Sequence, residues 1–290
     1  GDYQFVQDLG HGAYGGLFLG QSLQSKSYVA IKVLNKSGLN DQQLSLQQLE
    51  MDIQSSLKGH PSLLQLYDVL QDDHYIYMIM ELCDQGDLFD FVIQDQDQQQ
   101  NDYRSESLVK DLFIQILQGI QYMHQNGIYH RDIKLENVLL KTKEGNDEDD
   151  DDALICKVAD FGLATRDRYS MEFGCGSATY LAPEHFADED EMNLNNNNEN
   201  NNNQQEEELK PYDSAASDIW SLGILLLAFM FGRNPWQEAN YTDGAFNEYL
   251  KNPIMLKQQL FPTMSMELYQ FLTQHILVMD PTQRLPISDM

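Results

Sequence analysis

Residues 130–137 read His-Arg-Asp-Ile-Lys-Leu-Glu-Asn, and Asp160-Phe161-Gly162 stands further along the chain. This places a carboxylate at Asp132, an ammonium at Lys134, an amide oxygen at Asn137 and a second carboxylate at Asp160. In-line phosphoryl transfer asks a protein for a positioned hydroxyl and neutralised phosphate charge, with little covalent chemistry. Asp132 can orient a hydroxyl and accept its proton, and Lys134 can balance charge on a phosphoryl group. Asn137 and Asp160 offer hard oxygen donors, with no cysteine or histidine among them, and such donors suit Mg²⁺.

Near the start, Gly10-His11-Gly12-Ala13-Tyr14-Gly15 forms a G-x-G-x-x-G loop. The spacing alone is weak evidence, because dinucleotide-binding folds share it. There, however, the loop runs straight into a helix. Here Leu17-Phe18-Leu19 continues as a strand, which argues against a nucleotide oxidoreductase. Glycines in a strand–turn–strand hairpin let backbone N–H groups approach phosphates without Cβ obstruction.

Together these motifs resemble the catalytic domain of a eukaryotic serine/threonine protein kinase, and the resemblance runs over nearly the whole chain. It implies transfer of the γ-phosphoryl group of Mg·ATP to serine or threonine hydroxyls of proteins, with Lys134 as the mark of that acceptor class. Lys32, in Ala30-Ile31-Lys32, would bridge the α- and β-phosphates and pair with Glu50 on a helix. Gly10, His11, Gly12, Gly15 and Leu17 would cover the nucleotide; Leu17 stands where the family usually has valine. Ala30 and Met80 would wall the adenine, the backbones of Glu81 and Cys83 would bond its edge, and Asp87 would reach the ribose. Ser177 would hold Asp132 and Lys134, Arg284 would pair with Glu184, and Asp218 would anchor the catalytic-loop backbone. His130 and Phe161 are expected to pack rather than react. His11, His60 and His124 are expected to lack a paired carboxylate or Ser/Cys partner of the kind that suggests a hydrolase triad.

Two departures from the family pattern stand out. Gln54, one turn after Glu50, replaces an apolar residue and is expected to loosen the helix. Phe173 occupies the position where a phosphorylated residue would meet Arg131, so either neighbouring Glu172 compensates or Ser170 or Thr165 carries the phosphate. Residues 211–220 and 232–236 resemble a fungal kinase group linked to nutrient signalling and meiotic control. Glu136 and Asp87 could favour basic substrates, although Ala228 stands where basophilic relatives often carry glutamate.

The elements that must position these groups are legible in the patterning. Residues 3–9, 17–21, 28–34, 63–70 and 75–80 alternate as strands do. Residues 44–57, 108–124 and 217–231 have helical periods, the last apolar nearly all round and therefore buried. The expected architecture is α+β: a small antiparallel lobe over 1–81 with one helix, a hinge over 82–86, and a larger helical lobe over 87–290. The carboxylates at 132 and 160 are expected to converge across a cleft roofed by the glycine hairpin.

Stretches 94–101, 143–152 and 187–209 lack the apolar residues to offset ordering entropy and read as exposed, mobile insertions. Of the 46 acids, 7 lie in 144–152 and 8 in 188–208, so the net charge of −28 is partly local. The remaining acid excess still disfavours nucleic acid or an anionic membrane as partner. No run of 18 apolar residues occurs, the longest candidate being 219–231, so no membrane insertion is expected. Cys83, Cys156 and Cys175 form no CxxC pair, which favours a reducing compartment: the cytoplasm, with the nucleus as a second location. The chain starts at Gly1 without a basic-then-apolar leader and stops at Met290 inside an expected helix, as a domain cut from a longer protein would. A monomeric catalytic domain is expected. Two rivals of other classes are a non-catalytic nucleotide-binding scaffold and an assembly module built on the Asn/Gln tracts. Intact Lys32, Asp132, Asn137 and Asp160 weigh against the first; deletion of residues 188–208 without effect would dismiss the second.

Overall fold

The computed structural model describes residues 2–12, 15–98, 104–143, 153–186 and 210–290. Most of the three expected insertions lies outside them. The first helix of the second unit, α2 below, nevertheless runs through Gln98, so part of the 94–101 stretch is helical.

The chain divides into two compact units: residues 1–87 with 138–164, and residues 88–137 with 165–290. The division drawn from sequence assigned 138–164 to the second lobe. The hydrogen bonds explain the difference. Val158 N–H donates to the Ser62 carbonyl, Leu64 N–H to the Val158 carbonyl and Leu140 N–H to the Gly86 carbonyl. A strand pair far along the chain thereby joins the unit that begins it.

The first unit carries a five-stranded antiparallel sheet, ordered β1-β2-β3-β5-β4. Its strands are β1 (Tyr3–Gly12), β2 (Gly15–Ser22), β3 (Tyr28–Asn35), β4 (Leu66–Gln71) and β5 (Tyr75–Met80). Helix α1 (Asp41–Ser56) starts at a capping box in which Asn40 and Gln43 each bond the other's backbone N–H. Its buried Met51 joins Ala30, Leu34, Leu64, Leu66, Met78, Met80 and Ala159 in one apolar cluster. Hairpin β6 (Val138–Thr142) and β7 (Leu154–Val158) completes this unit.

The second unit is built on α2 (Leu88–Gln98), α3 (Glu106–Gln125) and α4 (Ser214–Phe231). Asp213 caps α4 by accepting from the Ala215 and Ala216 N–H groups, a cap worth about 1 kcal/mol over alanine. Gly232 ends it at φ +70°, the left-handed conformation glycine adopts without Cβ strain. By length and composition α4 could cross a membrane, because Ser217, Asp218 and Ser221 interrupt its apolar run without lowering the average enough; 83% of it is buried inside the fold. Trp220 on α4 meets Trp236 and Phe246, with ring centroids 6.0 and 6.2 Å away. That apolar mass holds the polar groups at the helix's N-terminal end in register.

Candidate active site

Each unit presents one group of the residues singled out above. In the first, Lys32 Nζ lies 2.7 Å from Glu50 Oε1. Strand pairing sets Lys32 opposite Leu17 on one side and Met78 on the other, while Glu50 is a buried residue of α1. The pair therefore measures the distance between sheet and helix. Asp160 has an exposed carboxylate on a backbone at φ +60°, unusual for a residue with a Cβ. Its Oδ1 accepts from Gly162 N–H at 3.3 Å. A Cβ added at Gly162 would stand 3.6 Å from Glu50 Oε2, so residues 160–162 lie beside the Lys32–Glu50 pair.

Gln54 corrects one expectation. It is buried, and its Nε2 donates to the Leu64 carbonyl at 3.1 Å and reaches Met80 Sδ at 3.8 Å. The amide thus ties α1 to the start of β4 instead of loosening it. A buried polar side chain is tolerable when its donor is satisfied.

The glycine hairpin closes with Gly12 opposite Gly15; Ala13 and Tyr14 lie outside the described residues. A Cβ at Gly15 would come within 1.7 Å of the Val33 carbonyl oxygen, so only glycine fits there. His11 is exposed and lies 3.3 Å from Asp8, a carboxylate the sequence reading did not pair with it. Ala30 pairs with Met80 across β3 and β5, and both are buried. Beyond β5, Glu81 N–H donates to the Gln65 carbonyl. Among the described residues the Glu81 carbonyl and the Cys83 N–H and carbonyl take part in no hydrogen bond. Burial, with Glu81 second, pushes the Cys83 thiol up to about 12, so it stays protonated. Asp87 forms a lone bridge with Leu139.

In the second unit four donor atoms meet the two carboxylate oxygens of Asp132. Its Oδ1 accepts from Ser177 N–H at 3.0 Å and Ser177 Oγ at 2.9 Å. Its Oδ2 accepts from Asn137 Nδ2 at 3.0 Å and lies 2.8 Å from Lys134 Nζ. Lys134 also donates to Ser177 Oγ at 2.9 Å. Burial alone would raise the Asp132 carboxyl; Lys134, then Ser177, outweigh it and hold the group below the usual carboxylate range. Asn137 spends its Nδ2 on Asp132, which leaves its amide oxygen free to accept or coordinate.

The loop carrying these groups is held from below. Asp218 on α4 accepts from His130 N–H at 2.9 Å and Arg131 N–H at 2.8 Å. It also lies 2.8 Å from His124 Nε2, a partner the sequence reading did not assign to that histidine. His130 is fully buried, in keeping with a packing role, and so is Phe161 in the first unit. Arg131, at φ +66°, directs Nη1 to Glu172 Oε2 at 2.6 Å. Phe173 meets Tyr212 at a tilt and His185 edge-on, with ring centroids 5.4 and 6.5 Å away. Arg284 makes a two-pronged bond to Glu184, 2.7 Å on each arm.

A model of the protein kinase domain matches residues 3–290. The chain belongs to the protein kinase family. It is 33% identical over 289 residues to the negative regulator of sexual conjugation and meiosis of Schizosaccharomyces pombe, covering 99% of this chain and 58% of that protein. It is 32% identical over 292 residues to the serine/threonine-protein kinase ksp1 of the same yeast, with coverage of 97% and 54%. The kinase KSP1 of Saccharomyces cerevisiae is 32% identical over 259 residues, 22% of its length. The chain thus spans little more than half of its fission-yeast relatives, and both lie in the fungal direction that residues 211–220 and 232–236 indicated. Protein kinases as a family use ATP and Mg²⁺. Each unit holds an oxygen donor of the kind Mg²⁺ takes: an exposed carboxylate at Asp160 in the first and a free amide oxygen at Asn137 in the second.

Proposed function

We propose that this domain transfers the γ-phosphoryl group of Mg·ATP to serine and threonine hydroxyls of protein substrates. One observation carries the reading: Asp132, Lys134, Asn137 and Ser177 form a closed hydrogen-bonded set around one carboxylate. Asp132 receives the substrate hydroxyl's proton and aims the oxygen. Its depressed pKa keeps it ionised through the neutral range, which suits alignment more than strong proton abstraction. Lys134 steadies the phosphoryl oxygens while Ser177 keeps lysine and aspartate in fixed relation. Asn137 and Asp160 would hold Mg²⁺, which supplies charge neutralisation on the phosphates. Lys32, kept in place by Glu50, serves the α- and β-phosphates, and the hairpin from Gly10 to Gly15 covers them. Ala30, Met80 and Leu17 enclose adenine, the open backbone groups of Glu81 and Cys83 take its edge, and Asp87 serves the ribose.

The partners are proteins with serine or threonine acceptors. A net charge of −28 supports substrates with basic flanks, with Glu136 and Asp87 as their contacts. A monomeric domain in the cytoplasm and nucleus accords with three cysteines that are all free thiols. A degenerate-peptide phosphorylation assay tests the whole reading. Incorporation at serine and threonine, lowered about 100-fold or more in Asp132→Asn, is the expected result. Activity unaffected by that change, or confined to tyrosine, would refute it.

A further inference from the structure

Under residues 81–86 lies a buried charge cluster that phosphoryl transfer does not use. The Glu81 carboxylate receives Lys157 Nζ at 2.9 Å and Lys141 Nζ at 3.2 Å. Gln65 N–H adds a third donor at 3.4 Å. The Glu81 and Lys157 side chains are 6% and 7% exposed, so their charges are almost wholly removed from water. Such a cluster contributes little net stability over apolar residues of the same volume, because desolvation cancels most of the attraction. What it does supply is geometry.

That geometry is unusually complete at Glu81. Its N–H donates to the Gln65 carbonyl, its carboxylate accepts from Gln65 N–H, and both oxygens meet lysines. Among the described residues, the carbonyl oxygen is the one polar atom of Glu81 left without a partner. The same hairpin fastens the next residues. Thr142 donates twice to Asp84, from N–H at 2.9 Å and from Oγ1 at 2.8 Å. Gln85 N–H donates to the Leu140 carbonyl, and Leu140 N–H to that of Gly86. Lys157 on β7 and Lys141 on β6 thus brace the start of a segment whose far end is sewn to β6.

We infer that Lys157 and Lys141 are positioning residues for nucleotide recognition. By clamping the Glu81 side chain they fix the direction of the Glu81 carbonyl and the Cys83 backbone, and thereby set the preference for adenine over other bases. This rests on the reading of those backbone groups as the adenine contacts.

The test compares wild type, Lys157→Met, Lys157→Arg and Lys141→Met in a peptide phosphorylation assay with Mg·ATP and with Mg·GTP, alongside thermal melting. Lys157→Met should raise KM for ATP about tenfold and narrow the ATP-over-GTP preference. Its kcat at saturating ATP and its KM for peptide should stay within about twofold of wild type. Lys157→Arg should recover part of the loss. Lys141→Met should show a smaller rise in the same direction, since that lysine is a quarter exposed. An unchanged ATP KM in both methionine variants overturns the inference. So does a loss that tracks lowered melting while the ATP-to-GTP ratio is intact. Should Lys157→Met fail to fold, Lys141→Met decides by the same criteria. Wild-type protein without ATP-dependent activity refutes the functional reading and this inference with it, whereas active wild type beside indifferent variants overturns the positioning role alone.

Discussion

Glu172→Ala probes how the activation segment is held without a phosphate at position 173. Arg131 is nearly buried, with 8% of its side chain exposed, whereas Glu172 is 65% exposed. Burial works against the arginine's charge, yet the bonds and charges of Glu172 and Tyr212 more than offset it and raise its pKa. Removing Glu172 takes away the 2.6 Å carboxylate contact of Arg131, whose other neighbours include Tyr212 and, at a long 3.4 Å, Ser170 Oγ. A fully exposed pair would be worth well under 1 kcal/mol and the breaking of a buried one several; one buried and one exposed partner place this pair at about 1–2 kcal/mol. That corresponds to roughly 5- to 30-fold in the balance between ordered and disordered segment. The variant's kcat/KM for peptide should therefore fall by about that factor, and limited proteolysis should cut between residues 167 and 182 faster. Glu172→Gln, which keeps an acceptor but no charge, should lie between. Phosphatase treatment of the wild type should change nothing, because the Ser170 and Thr165 hydroxyls are buried and already accept backbone N–H groups from Glu172 and Asp167. Full activity in Glu172→Ala, or wild-type activity abolished by phosphatase, would refute this account.

Two further outcomes follow from the same geometry. The Asp132 carboxyl is depressed, so activity that needs it ionised is present above its folded pKa and is lost as pH falls through it. Ser177→Ala removes one of the depressing bonds while keeping the backbone one, so the acid limb of the kcat/KM profile should move to higher pH; an unmoved limb would disprove the assignment. Arg284→Met should cost about 3–5 kcal/mol, since it strips the two-pronged bond from Glu184 and the arginine's contact over the Trp220 ring, 5.1 Å from its centroid. Denaturant unfolding would measure that loss, and a change under about 1 kcal/mol would contradict it.

The strands of the first sheet and helices α1, α3 and α4 were legible in the sequence. They rest on local rules: strand alternation and helical period. The placement of 138–164 with the first unit was not legible, because it depends on hydrogen bonds between Val158, Ser62 and Leu64 across most of a hundred residues. Gln54 misled for a related reason. A glutamine on an apolar helix face looks disruptive until the Leu64 carbonyl that receives it is in place. His124 likewise gained its carboxylate only when α4 brought Asp218 under the catalytic loop. The Glu81–Lys157–Lys141 cluster left no sequence signal at all, for lysines on alternating strands read as solvated until folding buries them. Residue type and short-range spacing state which chemistry a chain can attempt; which charges lose their water, and to whom they turn for compensation, is decided only when distant segments meet.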